Sequence, residues 1–156
     1  MNGSTKNRSL RIRAARADDY FACLPLLTSL YHGDIGTNFK QTFESFVLEK
    51  DSTVVLAEHP NKVIGILIGS CYLDVDWEGK VAKIDALIID EAFRRMGIGR
   101  RLFECFVSWA RERRCKAIRS RVNKKNKTAQ SFHQNLGFTR AQTYEYILEL
   151  REQHRR

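Results

Sequence analysis

The sequence predicts a mixed α/β fold: one domain with a central sheet and about four helices around it. Three observations predict it. The 156 residues suit a single core. Helical apolar spacing and β-branched runs occupy separate, well-defined segments. One glycine-rich turn joins a wholly apolar run to a long amphipathic stretch, which is the strand–turn–helix unit of α/β proteins.

The elements follow in order. Residues 1–9 read as a loose tail, and Leu10 to Arg13 alternate as a short strand. Asp18 or Asp19 can cap the next helix, with Leu24, Leu27 and Leu30 at helical spacing and Pro25 as a bend or first-turn marker. Residues 38–50 read as a second helix with Phe39, Phe43, Phe46 and Val47 on one face. Strands follow over 53–57, 63–72 and 81–89, the last nearly all apolar at its end and so central. A long helix after Gly99 buries Leu102, Phe103, Phe106, Trp109 and Ala110. Residues 117–122 read as a strand. Residues 128–136 read as a short helix stopped by Gly137. Tyr144 to Leu150 alternate as a last strand. The predicted order is β-α-α-β-β-β-α-β-α-β in one domain over 10–150, with a basic tail at 151–156.

Composition narrows the class. The chain is 43% hydrophobic and 29% charged, ordinary for a globular protein. No apolar stretch approaches the roughly 20 residues of a membrane helix, so no membrane partner is expected. The polar start lacks the apolar core of a secretory signal, and a cytoplasmic setting is expected. Cys23, Cys71, Cys105 and Cys115 are scattered, which favours free buried thiols over disulfides and gives no metal-site spacing. Net charge is +9. Between Arg94 and Lys127 thirteen basic residues face two acids, Glu104 and Glu112. A phosphate-rich ligand bound there would explain that bias.

The segment Arg94, Arg95, Met96, Gly97, Ile98, Gly99 is the informative turn. A helix begins with backbone N–H groups that lack internal partners, and its dipole favours negative charge there. Glycines let phosphate oxygens approach the backbone. Taken alone, such a turn is equally a structural one. Gly-Lys-Ser/Thr is missing, and Leu102 stands where a third dinucleotide-motif glycine would be.

These residues resemble the Arg/Gln-x-x-Gly-x-Gly/Ala signature of the GNAT acetyltransferases. Leu87, Ile88 and Ile89 resemble that family's central strand. Asn126, Ala129, Phe132, Leu136, Gly137 and Phe138 resemble its second signature, and Ile12-Arg13 with Asp18-Asp19 resemble its N-terminal strand and helix start. The resemblance covers nearly the whole chain. It implies an acetyl-CoA-dependent N-acetyltransferase with a splayed, mostly antiparallel sheet. Acetyl-CoA would lie in the opening between the 81–89 and 117–122 strands. By the same resemblance, backbone groups of Leu87 to Ile89 pair with pantetheine. N–H groups from Met96 to Arg100 hold the pyrophosphate, with Arg94 and Arg95 beside them. Asn126 and Phe132 contact the cofactor arm.

Acetyl transfer needs a neutral amine, so a base must remove a proton from an ammonium of pKa about 10.4. Asp85 stands where the family often carries a carboxylate. Its parity with Leu87 and Ile89 places it on their face of the strand; the alternative is a simple ion pair with Lys83 or an arginine. The family's usual tyrosine is His133 here. His133 is expected either as the acid for the leaving thiolate or as a cofactor contact, with Tyr144 and Tyr146 in reserve. Asp74, Asp76 and Trp77 in one turn, and Tyr31 and Asp34 in another, are expected to attract a cationic acceptor. A solvated hairpin accounts for the first group equally well. A small-molecule amine attacking directly in a ternary complex is expected ahead of a protein N-terminus or lysine, with a homodimer allowed. The rivals are a basic nucleic-acid or ribosome-associated domain and a CoA sensor without catalysis; no nucleic-acid signature favours the former.

Overall fold

The computed structural model describes residues 9–150, and the tails expected at either end lie almost wholly outside them. The elements are β1 (Arg11–Ala14), α1 (Tyr20–Leu30), α2 (Phe39–Leu48), β2 (Ser52–His59), β3 (Lys62–Asp74), β4 (Gly79–Ile89), α3 (Ile98–Glu112), β5 (Ala117–Ser120) and α4 (Lys127–Asn135). They form two compact units, one ending at Arg121 and one starting at Val122.

The first unit holds the whole sheet, in the order β1-β2-β3-β4-β5. Every pairing is antiparallel except that of β4 with β5, which is parallel. Short turns impose the β2–β3 and β3–β4 antiparallel pairs, β1 joins β2 by way of α1 and α2, and α3 separates β4 from β5 and allows a parallel return. Helices α1 and α2 cover one face. There Leu27 and Phe43 pack with Val54, Leu56, Ile66, Ile68 and Ile88 in one buried cluster. The stripe expected on α2 is the one that packs: Phe43 is fully buried, with Phe39, Phe46 and Val47 partly buried against the same cluster.

The other face carries α3. Its Leu102 and Phe106 sit over glycines of β3. A Cβ on Gly69 would stand 2.3 Å from Phe106 Cε2, and one on Gly65 would stand 3.1 Å from Leu102 Cδ1. These two positions lack a side chain because the helix uses the space. Phe103 and Trp109 are only half-buried, and the Arg113 guanidinium lies 4.3 Å above the Trp109 ring.

Three expectations change. Asp19 does not cap α1 with its side chain. It is buried, accepts the Arg16 N–H at 2.7 Å to cap the single 3-10 turn that leads into α1, and takes two 2.7 Å hydrogen bonds from the Arg13 guanidinium, which also reaches Glu58 at 2.6 Å. The guanidinium holds both carboxyls below the usual range. Second, the free cysteines are not uniformly buried: Cys23 and Cys71 are, but Cys105 is exposed. Third, Tyr144 to Leu150 form no strand, and Tyr146 is 91% exposed. Alternation creates an apolar side, but a strand also needs a neighbour's backbone, which periodicity does not provide. No helix among the described residues is long and apolar enough to cross a membrane.

Candidate active site

β4 outruns β5. Their ladder joins Val81 to Ile84 with Ala117 to Ser120 and stops there. Residues 85–89 therefore keep β3 on one side and, among the described residues, no strand on the other. Backbone direction along this stretch follows from Asp90, whose N–H donates to the Ile64 carbonyl at 2.8 Å. Amides in an antiparallel strand alternate in direction. Ile88 therefore faces β3, while Leu87 and Ile89 face the open side. Of the three residues expected to offer backbone groups, Leu87 and Ile89 turn them toward the open side and Ile88 does not. The Ile89 carbonyl also accepts from Arg94 Nε at 3.2 Å, tying the open edge to the turn that follows.

That turn takes the chain through two left-handed residues, Arg95 at φ 60° and Gly97 at φ 77°. Helix α3 starts at Ile98, and its first rung runs from the Arg101 N–H to the Gly97 carbonyl at 3.1 Å. The amides of Ile98 and Gly99 thus precede the hydrogen-bonded ladder. No acidic residue lies in the first turn of α3. Of the two carboxylates before the turn, Glu91 is exposed, and Asp90 is occupied by Lys62 and the Ala92 N–H, with Lys62 holding it below the ordinary range. Arg94, Arg95 and Arg100 are exposed around this end, and Met96 is half-buried. Anion-seeking amides and cationic side chains therefore converge at one end of the open edge. Residues that fit a pyrophosphate and an extended amide-bearing arm are present together, in the order such a ligand needs.

Asp85 is not on the face of Leu87 and Ile89. Ile68 pairs with Ala86 and Gly69 pairs with Ile84, which leaves Asp85 as an extra residue in a β-bulge. The bulge resets the alternation. Ile89 reaches Gly65 and Leu102 on the α3 side. The Asp85 carboxylate instead accepts 2.8 Å contacts from Ser70 Oγ and Lys83 Nζ. The expected ion pair with Lys83 is therefore present; Ser70 had no signal beyond its place in line with Ile66 and Ile68.

The acceptor-side residues divide. Asp74 is committed to structure: it accepts the N–H groups of Asp76 and Trp77, and it pairs with Arg119 at 3.2 Å. Asp76 is exposed at the hairpin tip, and Trp77 is 43% exposed. Tyr31 packs edge-on against Phe39, and the Asp34 N–H donates to its carbonyl.

In the second unit, Asn126 caps α4 by accepting the Ala129 N–H at 3.0 Å. Gly137 at φ 93° ends the helix, with Phe138 N–H donating to the His133 carbonyl. His133 Nδ1 lies 2.8 Å from the Ala129 carbonyl. A carbonyl only accepts, so Nδ1 carries a proton, and the neutral ring keeps its lone pair on Nε2. Phe132 and Phe138 meet this ring edge-on.

Comparison with known proteins fits this geometry. The family model described as acetyltransferase (GNAT) family matches residues 17–138. No curated protein matches the sequence. Among solved structures, the aminoglycoside acetyltransferase meta-AAC0020 from an uncultured soil metagenomic sample, in complex with sisomicin, is 17% identical, with a TM-score of 0.80 over 93% of this chain and 99% of that one. AAC(6')-Iy in complex with a CoA-linked bisubstrate analogue is 19% identical, with a TM-score of 0.77 over 92% and 98%. The BH1408 protein of Bacillus halodurans, a tetramutant, is 25% identical, with a TM-score of 0.74 over 90% and 99%. The structures share the fold, the family model spans most of the sequence, and the chain belongs to the GNAT acetyltransferase family, whose acyl donor is acetyl-CoA.

Proposed function

We propose that this protein acetylates a primary amine of a small molecule by direct attack in a ternary complex with acetyl-CoA. The observation that carries the reading is the open edge of β4 over residues 85–89, which runs straight into the amide-rich start of α3. Acetyl-CoA supplies the activated acyl group as a thioester. The free amides of Leu87 and Ile89 pair with its pantetheine arm, and the N–H groups from Met96 to Arg100 take its pyrophosphate. Arg94 braces the edge, and Arg95 adds charge.

Asp85 is the base in this reading. Its carboxylate stands at the mouth of the open edge with both oxygens oriented by neighbours. Direct attack is favoured over an acyl group carried on either buried cysteine. Burial raises the Cys23 thiol to about 12 and the Cys71 thiol to about 11, so neither is an effective nucleophile near neutral pH. His133 serves as the acid for the thiolate only in its protonated form. A His133→Phe variant is expected to lose one limb of the pH–rate profile, and an unchanged profile removes the acid role.

A small amine is placed ahead of a protein because Asp74, one of the acceptor-side acids, is committed to the hairpin and to Arg119. Thermal shift with acetyl-CoA and with an oligonucleotide tests the first step: stabilisation by acetyl-CoA alone is expected. Thiol release across a panel of polyamines, aminoglycosides and peptide N-termini tests the second. A protein substrate is the outcome if only the peptides react, and a CoA sensor if nothing does.

A further inference from the structure

The sheet face beneath α1 and α2 changes character along its length. Toward the phosphate turn it is apolar, with Leu56, Ile66, Ile68 and Ile88. Beyond Ile68 it becomes polar. Ser52 pairs with Ser70, and Ser70 pairs with Lys83, so three adjacent strands place polar side chains in one row. The bulge adds the Asp85 carboxylate to the end of that row nearest the open edge.

The other end opens on a cavity of about 360 Å³ beside α2, lined among others by Thr42, Ser45, Glu49, Ser52 and Ser70. Ser70 is half-buried and belongs to both places. It lines the cavity, and its hydroxyl donates to Asp85 Oδ2 at 2.8 Å. Lys83 Nζ holds the other carboxylate oxygen at 2.8 Å, so Oδ2 is the oxygen joined to the cavity-lining Ser70. A hydroxyl accepts and donates at once, which makes it a proton conductor between two groups that do not touch. The charged groups around the row are Lys80 and Lys83 on β4, Glu49 and Asp51 at the α2–β2 junction, and Arg119 on β5. Asp51 is paired with Lys80 and Arg119 with Asp74.

We infer that the acceptor, a primary alkyl amine that is cationic at neutral pH, reaches β4 from this cavity and that Ser70 relays its proton to Asp85. The inference rests on the acetyl transfer proposed above. The ammonium donates a proton to Ser70 Oγ while the hydroxyl proton moves to Asp85 Oδ2. The neutral amine then forms the N–C bond to the acetyl carbon, and the C–S bond breaks with its electron pair going to sulfur. The second nitrogen proton ends on that sulfur, and Asp85 releases the first to water. The sum is ammonium plus thioester giving amide, thiol and one proton.

The test is kcat against pH for wild type, Ser70→Ala and Ser70→Thr, with spermidine as the acceptor and thiol release as the signal. Removing the relay is expected to lower kcat about tenfold or more at pH 7. The deficit closes as pH rises toward the amine's own pKa of about 10, where the substrate arrives neutral. Ser70→Thr keeps the hydroxyl and restores most of the rate, and the KM for acetyl-CoA stays constant in both variants. Superimposable profiles for wild type and Ser70→Ala overturn the relay, as does a deficit that persists undiminished at high pH. If wild type releases no thiol with spermidine or any other amine of the panel, acetyl transfer itself is overturned; that result is distinct from either failure of the relay.

Discussion

Asp85 shows how much a single inserted residue decides. Strict alternation puts its carboxylate with Leu87 and Ile89, under α3. The bulge turns it to the opposite side, onto Ser70 and Lys83. An Asp85→Asn substitution keeps size and loses the proton-accepting charge. It is expected to reduce kcat about 100-fold or more while acetyl-CoA affinity holds, a split measured by steady-state kinetics beside a binding titration. Unchanged turnover removes Asp85 as the base. Gly97 is a different case. A Cβ there meets nothing within 4 Å, so only its φ of 77° demands glycine. Gly97→Ala is expected to cost about 1–2 kcal/mol and to weaken acetyl-CoA binding, because the left-handed turn carries the amides proposed to hold the pyrophosphate. Calorimetric unfolding read beside the acetyl-CoA Kd checks both effects.

At the scale of elements, α3 is positioned by absences on β3. Gly69 receives the Phe106 ring, and an added Cβ would also come within 2.9 Å of the Lys83 carbonyl, a backbone atom that cannot swing away. Gly69→Ala should therefore destabilise by roughly 1–3 kcal/mol, seen as a lowered Tm, and should impair catalysis by displacing the phosphate turn. The N-terminal strand is anchored by charge. Arg13 binds Asp19 and Glu58, and its guanidinium lowers both carboxyl pKa values. Groups with depressed folded pKa values stabilise the fold above their ordinary pKa, near 4, and lose that contribution as pH falls through the lower folded values. Acid unfolding of the wild type is thus expected below pH 4. Arg13→Met strands two carboxylates and should cost roughly 3–5 kcal/mol at neutral pH. In that variant the acid sensitivity should fade, since protonating the stranded carboxyls then relieves the fold. Denaturant titrations at pH 7 and pH 4 distinguish the two behaviours.

Across the molecule, the basic stretch that looked like one phosphate-binding block is dispersed, and α3 alone separates two groups of it. Helix α3 has 15 residues, about 22 Å from end to end at 1.5 Å per residue. Arg94, Arg95, Arg100 and Arg101 lie at its start, beside the phosphate turn. Arg111, Arg113 and Arg114 lie at its far end, where Arg113 stacks on Trp109 and donates to the Lys50 carbonyl. Arg95→Gln should raise the Kd for acetyl-CoA several-fold. Arg111→Gln with Arg114→Gln should leave it unchanged, by isothermal titration of each variant. Equal losses in both would mean that net charge, rather than site charge, governs binding.

Much of this was legible in the residues themselves. Local spacing determined the helices, the order of the β2–β5 strands and the strand–turn–helix unit, because burial on one face of an element imposes its own period on the sequence. The glycine pattern of the turn pointed to an anion for the same local reason: φ and amide exposure are set within a few residues. The structure alone decided what depends on partners distant in the chain. It put Asp19 on Arg13 as well as on the turn that starts the helix, left Tyr144 to Leu150 without a ladder, and stopped β5 at Ser120 so that the edge of β4 stands open. It also set the bulge that aims Asp85 at Ser70. A bulge changes the count between two strands, and no single strand's pattern of residues records that count.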